Sequence, residues 1–264
     1  MSDSDLAELE NPPGMPEAKP AAMRVEASRV SPLRRSVAEG VAAAKANLRP
    51  ALALWLLGLS ILGAYYFTDA GRALLERVAA VRDAYGLVYA VVATSTFGGV
   101  IPWLVMKSRP SSRARATAGL LAFMVVLWME KGVEVHALYA GLALLLGDTN
   151  AWPVLLGKVA LDQGLYAPLY AAPSLLLAYR LHESRYQMRS LSVVASRRWW
   201  LDRALPVILA NSAVWTPAVT MIYALPLALQ LPMQNLVLCF WSLILVFMTD
   251  PARDEAEHAG DPRR

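Results

Sequence analysis

Residues 204–249 form an uninterrupted stretch of 46 residues without a single Asp, Glu, Lys or Arg. As a helix rising 1.5 Å per residue, this stretch would be roughly 69 Å long, enough to cross a hydrocarbon core of roughly 30 Å twice. Of the 264 residues of the chain, 56% are hydrophobic and 17% are charged, whereas soluble domains average about 45–50% apolar and about 25% charged residues. The sequence therefore predicts an all-α, multispanning bundle in a membrane.

Four apolar regions precede this stretch, at 50–68, 84–106, 116–147 and 152–179. The third is interrupted by charges near its middle and is either one long bent helix, which we favour, or two shorter pieces. Gly98, Gly99 and Pro102 predict close packing and a kink in the second region. The last stretch should turn back within residues 225–235, where prolines and amides cluster. The sequence thus predicts about six spans.

Positive charge is distributed unequally between the two predicted sides. The segments 1–49, 107–115 and 180–203 carry seven, four and six Lys and Arg, whereas the loop 69–83 between the first two spans carries three. Because cytoplasmic loops retain Lys and Arg, both termini are predicted inside. We expect the cytoplasmic membrane of a bacterium, or an organelle membrane if the source is eukaryotic.

The two ends of the chain differ in composition from its apolar body. Five prolines and mainly polar and small residues predict a disordered tail over 1–49, although 31–47 could form a short interfacial helix. Acidic residues near the start argue against a mitochondrial presequence, and no secretory signal pattern is present. The segment 250–264 reads as a polar, disordered tail. The transmembrane domain is predicted at 50–249.

Charged and polar residues inside the apolar regions are the candidate functional residues, because ionisable groups are costly at membrane depth. Lys158 and Asp162 lie four residues apart, which predicts an ion pair, and Gln163 follows them. A second group contains Glu130, Lys131, Glu134 and His136. Either group lines a pathway for solutes or serves only helix packing, as an ion-paired kink or a buried salt bridge.

Enzymatic signatures are missing from the sequence. It contains no phosphate-binding loop, no dinucleotide-binding glycine pattern and no nucleophile elbow. With one cysteine, Cys239, and three histidines, it also offers no convincing metal site. We therefore expect no catalytic activity and no cofactor, and no basic stripe interleaved with aromatics indicates nucleic-acid binding.

Two motifs resemble those of a known family. The first is Lys158-Val-Ala-Leu-Asp162-Gln163-Gly-Leu-Tyr-Ala-Pro168. The second comprises Trp215-Thr-Pro217, Tyr223-Ala-Leu-Pro226 and a closing Trp241. Over about residues 85–249 they are similar to the Mpv-seventeen family, also named for the twenty-two-kilodalton peroxisomal membrane protein. The sequence departs from the signature of the family at three places. Thr216 separates the Trp from the Pro, and Ile222-Tyr223 stands where the family has Asn-Phe. The Arg that usually follows is absent, and Gln230 is the nearest polar residue.

The resemblance implies an integral membrane protein that forms a channel or changes permeability to small solutes, without catalytic activity. We expect a weakly selective pathway lined by Lys158, Asp162 and Gln163, with a second polar layer of Glu130, Glu134 and His136. The motif residues Pro168, Trp215, Pro217, Tyr223, Pro226 and Trp241 are expected to be structural. The lipid bilayer is the expected partner, together with small solutes that the sequence does not identify; a homo-oligomer is compatible with the sequence, which does not determine the oligomeric state. The alternative is a non-conducting structural or assembly factor of the membrane.

Overall fold

The computed structural model describes residues 31–248, which form helices joined by short turns, with no strand among them. This confirms the all-helical class for that part of the chain. The disorder predicted for residues 1–30 and for the tail 250–264 lies outside the described residues. The helices are α1 (Pro32–Ala46), α2 (Leu48–Phe67), α3 (Asp69–Ser108), α4 (Ala118–Leu146), α5 (Trp152–Leu161), α6 (Ala172–Glu183), α7 (Arg197–Tyr223) and α8 (Leu227–Met248).

Four of the described helices are long and apolar enough to cross a membrane: α2, α3, α7 and the part of α8 at Leu227–Ile244. Large apolar side chains project from their outer surfaces; Leu56 is 64% exposed and Val92 57% exposed. Apolar exposure of this extent suits contact with lipid rather than water. Two further regions are also helical but carry charged residues along their length: α4, and the α5–α6 segment, residues 152–183, in which Asp162–Ala171 joins α5 to α6.

Helix α1 occupies a region that the sequence analysis assigned mainly to a disordered tail. Ser31 caps the helix by accepting a hydrogen bond from the Arg34 backbone N–H at 3.4 Å. A Cβ atom on Gly40 would lie 2.9 Å from the Leu209 side chain, so the glycine allows α1 to pack closely on α7. The prediction of disorder is therefore wrong for Pro32–Ala46. The short helix considered for residues 31–47 is present there, and it packs against α7.

Helices α1 and α2 run alongside α7 in the same direction. Contacts follow the same order along both: Gly40 is beside Leu209, Trp55 Nε1 donates to the Val214 carbonyl oxygen at 2.9 Å, and Gly58 faces Met221. Each of these contacts brings α7 against one continuous side of the α1–α2 pair. The first turns of α1 and α7 therefore lie at the same level of the bundle.

Helix α3 begins earlier than expected, because the predicted loop 69–83 is helical. Thr68 caps it by accepting from the Gly71 backbone N–H at 3.1 Å, and Asp69 supplies a negative charge to the first turn. Gly86, at φ 48°, breaks the helix between this charged part and the apolar part.

The glycines of α3 and α4 allow close helix packing. The predicted irregularity in α3 is present as a π-helical turn at Thr96–Val100. A Cβ on Gly98 would lie 2.5 Å from the Trp128 ring of α4, and one on Gly132 of α4 would lie 2.5 Å from the Ala90 carbonyl oxygen. Helix α4 itself is one continuous helix of 29 residues.

The turn between α7 and α8 is shorter than the predicted 225–235 and occupies only residues 224–226. Pro232, Gln234 and Asn235 lie inside α8. The side-chain oxygens of Gln234 and Asn235 accept hydrogen bonds from neighbouring helices, so both amides face the interior of the bundle rather than a turn. The Asn235 Nδ2 is buried and has no hydrogen-bond partner among the described residues.

Candidate functional site

An internal cavity of about 480 Å³ lies between α3, α4, the α5–α6 segment, α7 and α8. One end reaches Arg115, in the loop 109–117, and Val207, in the first half of α7, both of which are exposed. The other end reaches Tyr139, Asp162 and Gln234 in the middle of the helices. The cavity therefore extends inward from the end of the bundle that carries the basic loops.

Asp162 forms part of the inner end of this cavity. It is 4% exposed and begins a π-helical segment, Asp162–Ala171, that joins α5 to α6. The Tyr223 hydroxyl donates to its Oδ2 at 2.7 Å and Gln163 Nε2 donates to its Oδ1 at 2.8 Å. Both oxygens of this carboxylate are thus held by donors. Segments of π-helix often occur at functional sites.

The predicted ion pair between Lys158 and Asp162 does not form. Lys158 is 2% exposed, does not line the cavity, and has no hydrogen bond or ion pair from its Nζ within residues 31–248. Spacing alone favoured the pair, but both oxygens of Asp162 accept hydrogen bonds from Tyr223 and Gln163 instead.

A second charged cluster connects α4 to the α5–α6 segment. Lys131, which is 6% exposed, donates to Glu134 and, at 2.8 Å, to Ser174 Oγ, and Tyr166 donates to the other oxygen of Glu134. Glu130 Oε2 lies 3.4 Å from Lys131 Nζ. This network of five polar side chains joins α4 to the α5–α6 segment.

The members of this cluster differ in their relation to the cavity. Lys131 and Tyr166 line it. The Glu130 side chain is 51% exposed, and His136 lies outside the cavity with its Nδ1 unpartnered among the described residues. The cluster is therefore not the uniform second layer of Glu130, Glu134 and His136 that the sequence suggested.

Two buried tyrosines lie at the inner end of the cavity: Tyr139 lines it, and Tyr223 binds Asp162, which lines it. Tyr139 and Tyr223 are 2% and 1% exposed, and their rings meet edge to face at 5.3 Å. The Tyr139 hydroxyl donates to Gln234 Oε1 at 3.0 Å. Leu225, in the turn before α8, and Leu229 and Leu231, in the first turns of α8, are almost completely buried as well. The cavity thus ends at a packed layer of aromatic and aliphatic side chains.

The other motif residues lie around this layer. Trp215 and Trp241 line the cavity, Pro168 is inside the π-helical segment, Pro217 is inside α7, and Pro226 precedes α8. Thr216, the insertion between Trp215 and Pro217, approaches Gln163 Oε1 at 3.4 Å.

Sequence reasoning missed the contributions of Tyr139, Tyr166 and Gln234. Aromatic residues in an apolar stretch carry no signal of their own, and Gln234 was assigned to a turn. Asn235, also assigned there, is fully buried and accepts from Thr94 Oγ1 at 2.9 Å. The occurrence of Gln234 and Asn235 within an apolar stretch was the sequence feature that could have predicted that these positions face the interior of the bundle.

Comparison with known proteins found no matching protein-family model, no matching curated protein and no matching solved structure.

Proposed function

We propose that this protein is an integral membrane protein whose central cavity is part of a pathway for small solutes. The supporting observation is the convergence of Lys131, Asp162 and Gln163, from separate parts of the chain, on one cavity. Charged groups at membrane depth typically line ion or solute pathways. The resemblance to the Mpv-seventeen family is consistent with this proposal, as is its implication of weak selectivity.

In the proposed arrangement six helical regions cross the bacterial cytoplasmic membrane, with both termini inside. Helix α4 has 29 residues, and at 1.5 Å per residue its length of roughly 43 Å exceeds the hydrocarbon core. The cavity then faces the cytoplasmic side, where the basic loops lie, and the layer around Tyr139 and Tyr223 closes it toward the outside. The described arrangement corresponds to a closed pathway.

Recording from the full-length protein in planar bilayers tests this proposal, with Asp162→Asn as the variant. We expect discrete conductance from the unaltered protein. Asp162→Asn removes the negative charge at the inner end of the cavity and should lower the unitary conductance for cations. Gln163→Glu, which adds a negative charge beside the same position, should change it in the opposite direction.

Bilayers that stay silent with folded protein, or currents unaffected by both substitutions, would contradict the proposed pathway. The alternative is a structural or assembly factor without conduction. Its supporting observation is that Asp162 and Lys131 are both satisfied by neighbouring side chains, as groups that only fasten helices would be. In that case Asp162→Asn lowers thermal stability in detergent and has no other effect.

A further inference from the structure

A second depression, of about 600 Å³, lies between the first turns of α1 and α7. Its wall contains three arginines, Arg35, Arg198 and Arg203, and two acids, Glu39 and Asp202. Arg35 pairs with Glu39 at 2.9 Å and Arg198 pairs with Asp202 at 3.1 Å. Arg203 forms no ion pair within residues 31–248, so the depression carries an excess of positive charge.

The arginines of this depression are accessible. The side chains of Arg35 and Arg198 are 76% and 89% exposed, so each retains guanidinium donors that its single carboxylate partner does not use. A guanidinium presents five N–H donors in a planar arrangement that matches phosphate oxygens. The depression can therefore receive a phosphate group without breaking either ion pair.

On α7 the depression lies where charged residues give way to apolar ones, whereas on the other side Lys45 and Arg49 precede the apolar part of α2. Residues 204–249, immediately after Arg203, carry no charge, and exposed leucines follow α1 at Leu48, Leu52 and Leu56. Trp199 lines the depression and Trp200 is 38% exposed next to it. Tryptophans of this kind are enriched at the level of the lipid headgroups.

From these observations we infer that the depression between α1 and α7 binds the headgroup of an anionic phospholipid. The phosphate lies against Arg198 and Arg203, and the acyl chains extend along the apolar surface toward Leu52 and Leu56. Basic pockets between helices on the cytoplasmic side suit anionic headgroups. Charge complementarity at this boundary favours a lipid over a free anion, since a soluble anion gains nothing from the adjoining apolar surface. The inference does not depend on conduction through the central cavity.

Native mass spectrometry of the full-length protein in detergent, titrated with phosphatidylglycerol, tests the site. The unaltered protein should retain one phosphatidylglycerol molecule more tightly than phosphatidylcholine. Arg198→Gln/Arg203→Gln should weaken that binding about 30-fold, the effect of removing two arginine contacts to an anionic lipid surface. The matched control is Arg185→Gln/Arg189→Gln, which removes two exposed arginines from the preceding loop, outside the depression, and should leave the affinity nearly unchanged.

Three results would overturn the inference: no preference for phosphatidylglycerol, an equal loss in both double variants, or no loss in either. A soluble competitor separates a lipid from a free anion. Excess glycerol 3-phosphate should not displace the lipid, and complete displacement would identify a free-anion site instead. If Arg198→Gln/Arg203→Gln does not fold, Arg203→Gln alone replaces it, since that substitution disturbs no ion pair within residues 31–248. Removing this one arginine contact should weaken binding about fivefold.

Discussion

Glu134→Gln is expected to destabilise the protein by about 3 kcal/mol, because it removes one partner of a buried ion pair. The side chains of Lys131 and Glu134 are each 8% exposed. Without the Glu134 carboxylate, the Lys131 ammonium keeps only Ser174, the ring of Tyr170 and the more distant Glu130. Unfolding in detergent, followed by circular dichroism over a titration with a denaturing detergent, measures the change in the free energy of unfolding.

Glu130→Gln is the matched control, because it makes the same substitution one turn earlier in α4. Its side chain is 51% exposed and its contact to Lys131 is longer, at 3.4 Å, so we expect a loss below about 1 kcal/mol. Adding Lys131→Met to Glu134→Gln should recover much of the stability, since no charge then stays buried without a partner. Equal losses from the two single variants would show that the burial of the pair has no energetic consequence.

Tyr223→Phe is expected to favour opening of the proposed pathway, since it deletes the hydroxyl that holds Asp162 Oδ2 at 2.7 Å. A hydrogen bond to a charged group contributes about 2 kcal/mol, and losing that amount from the closed arrangement alone would raise the population of open states about 30-fold. Open probability in planar bilayers is the quantity to compare with the unaltered protein.

Tyr179→Phe provides the control for this experiment. Tyr179 also lines the cavity, and its hydroxyl forms no hydrogen bond to any residue in 31–248. Its removal should leave the open probability unchanged. If Tyr179→Phe and Tyr223→Phe have the same effect, or if Tyr223→Phe lowers the open probability, the tyrosine layer does not close the pathway.

Hydropathy was sufficient to predict the helical class, because spans of about 20 apolar residues are a property of local sequence. It also placed the hairpin between α7 and α8 in nearly the right region. It could not fix the length of that turn, since Gln234 and Asn235 resemble turn residues until their partners on α3 and α4 are known. Helix α1 was mostly missed for a related reason: its stability depends on the contact of Gly40 with α7.

The candidate site illustrates the limit of spacing arguments. Separation by four residues made Lys158 the obvious partner of Asp162, yet the hydroxyl that binds Asp162 belongs to Tyr223, 61 residues further along the chain. Lys131 and Glu134, three residues apart, do pair as local helix geometry allows. A tertiary contact thus determines the partner of Asp162, whereas local helix spacing determines the pairing of Lys131 with Glu134.

The proposed pathway requires that the cavity ending at Asp162 contains water and is open to solutes from the end with the basic loops. Thiol accessibility in membrane vesicles tests it most directly, in a Cys239→Ser background that removes the one native cysteine. Ser242→Cys places a thiol in the cavity, whereas Leu56→Cys places one on the exposed apolar surface of α2. A charged, membrane-impermeant thiol reagent added on the basic-loop side should label Ser242→Cys and not Leu56→Cys. A Ser242→Cys thiol that reacts only after denaturation would contradict the account, because the cavity would then be dry and closed to solutes.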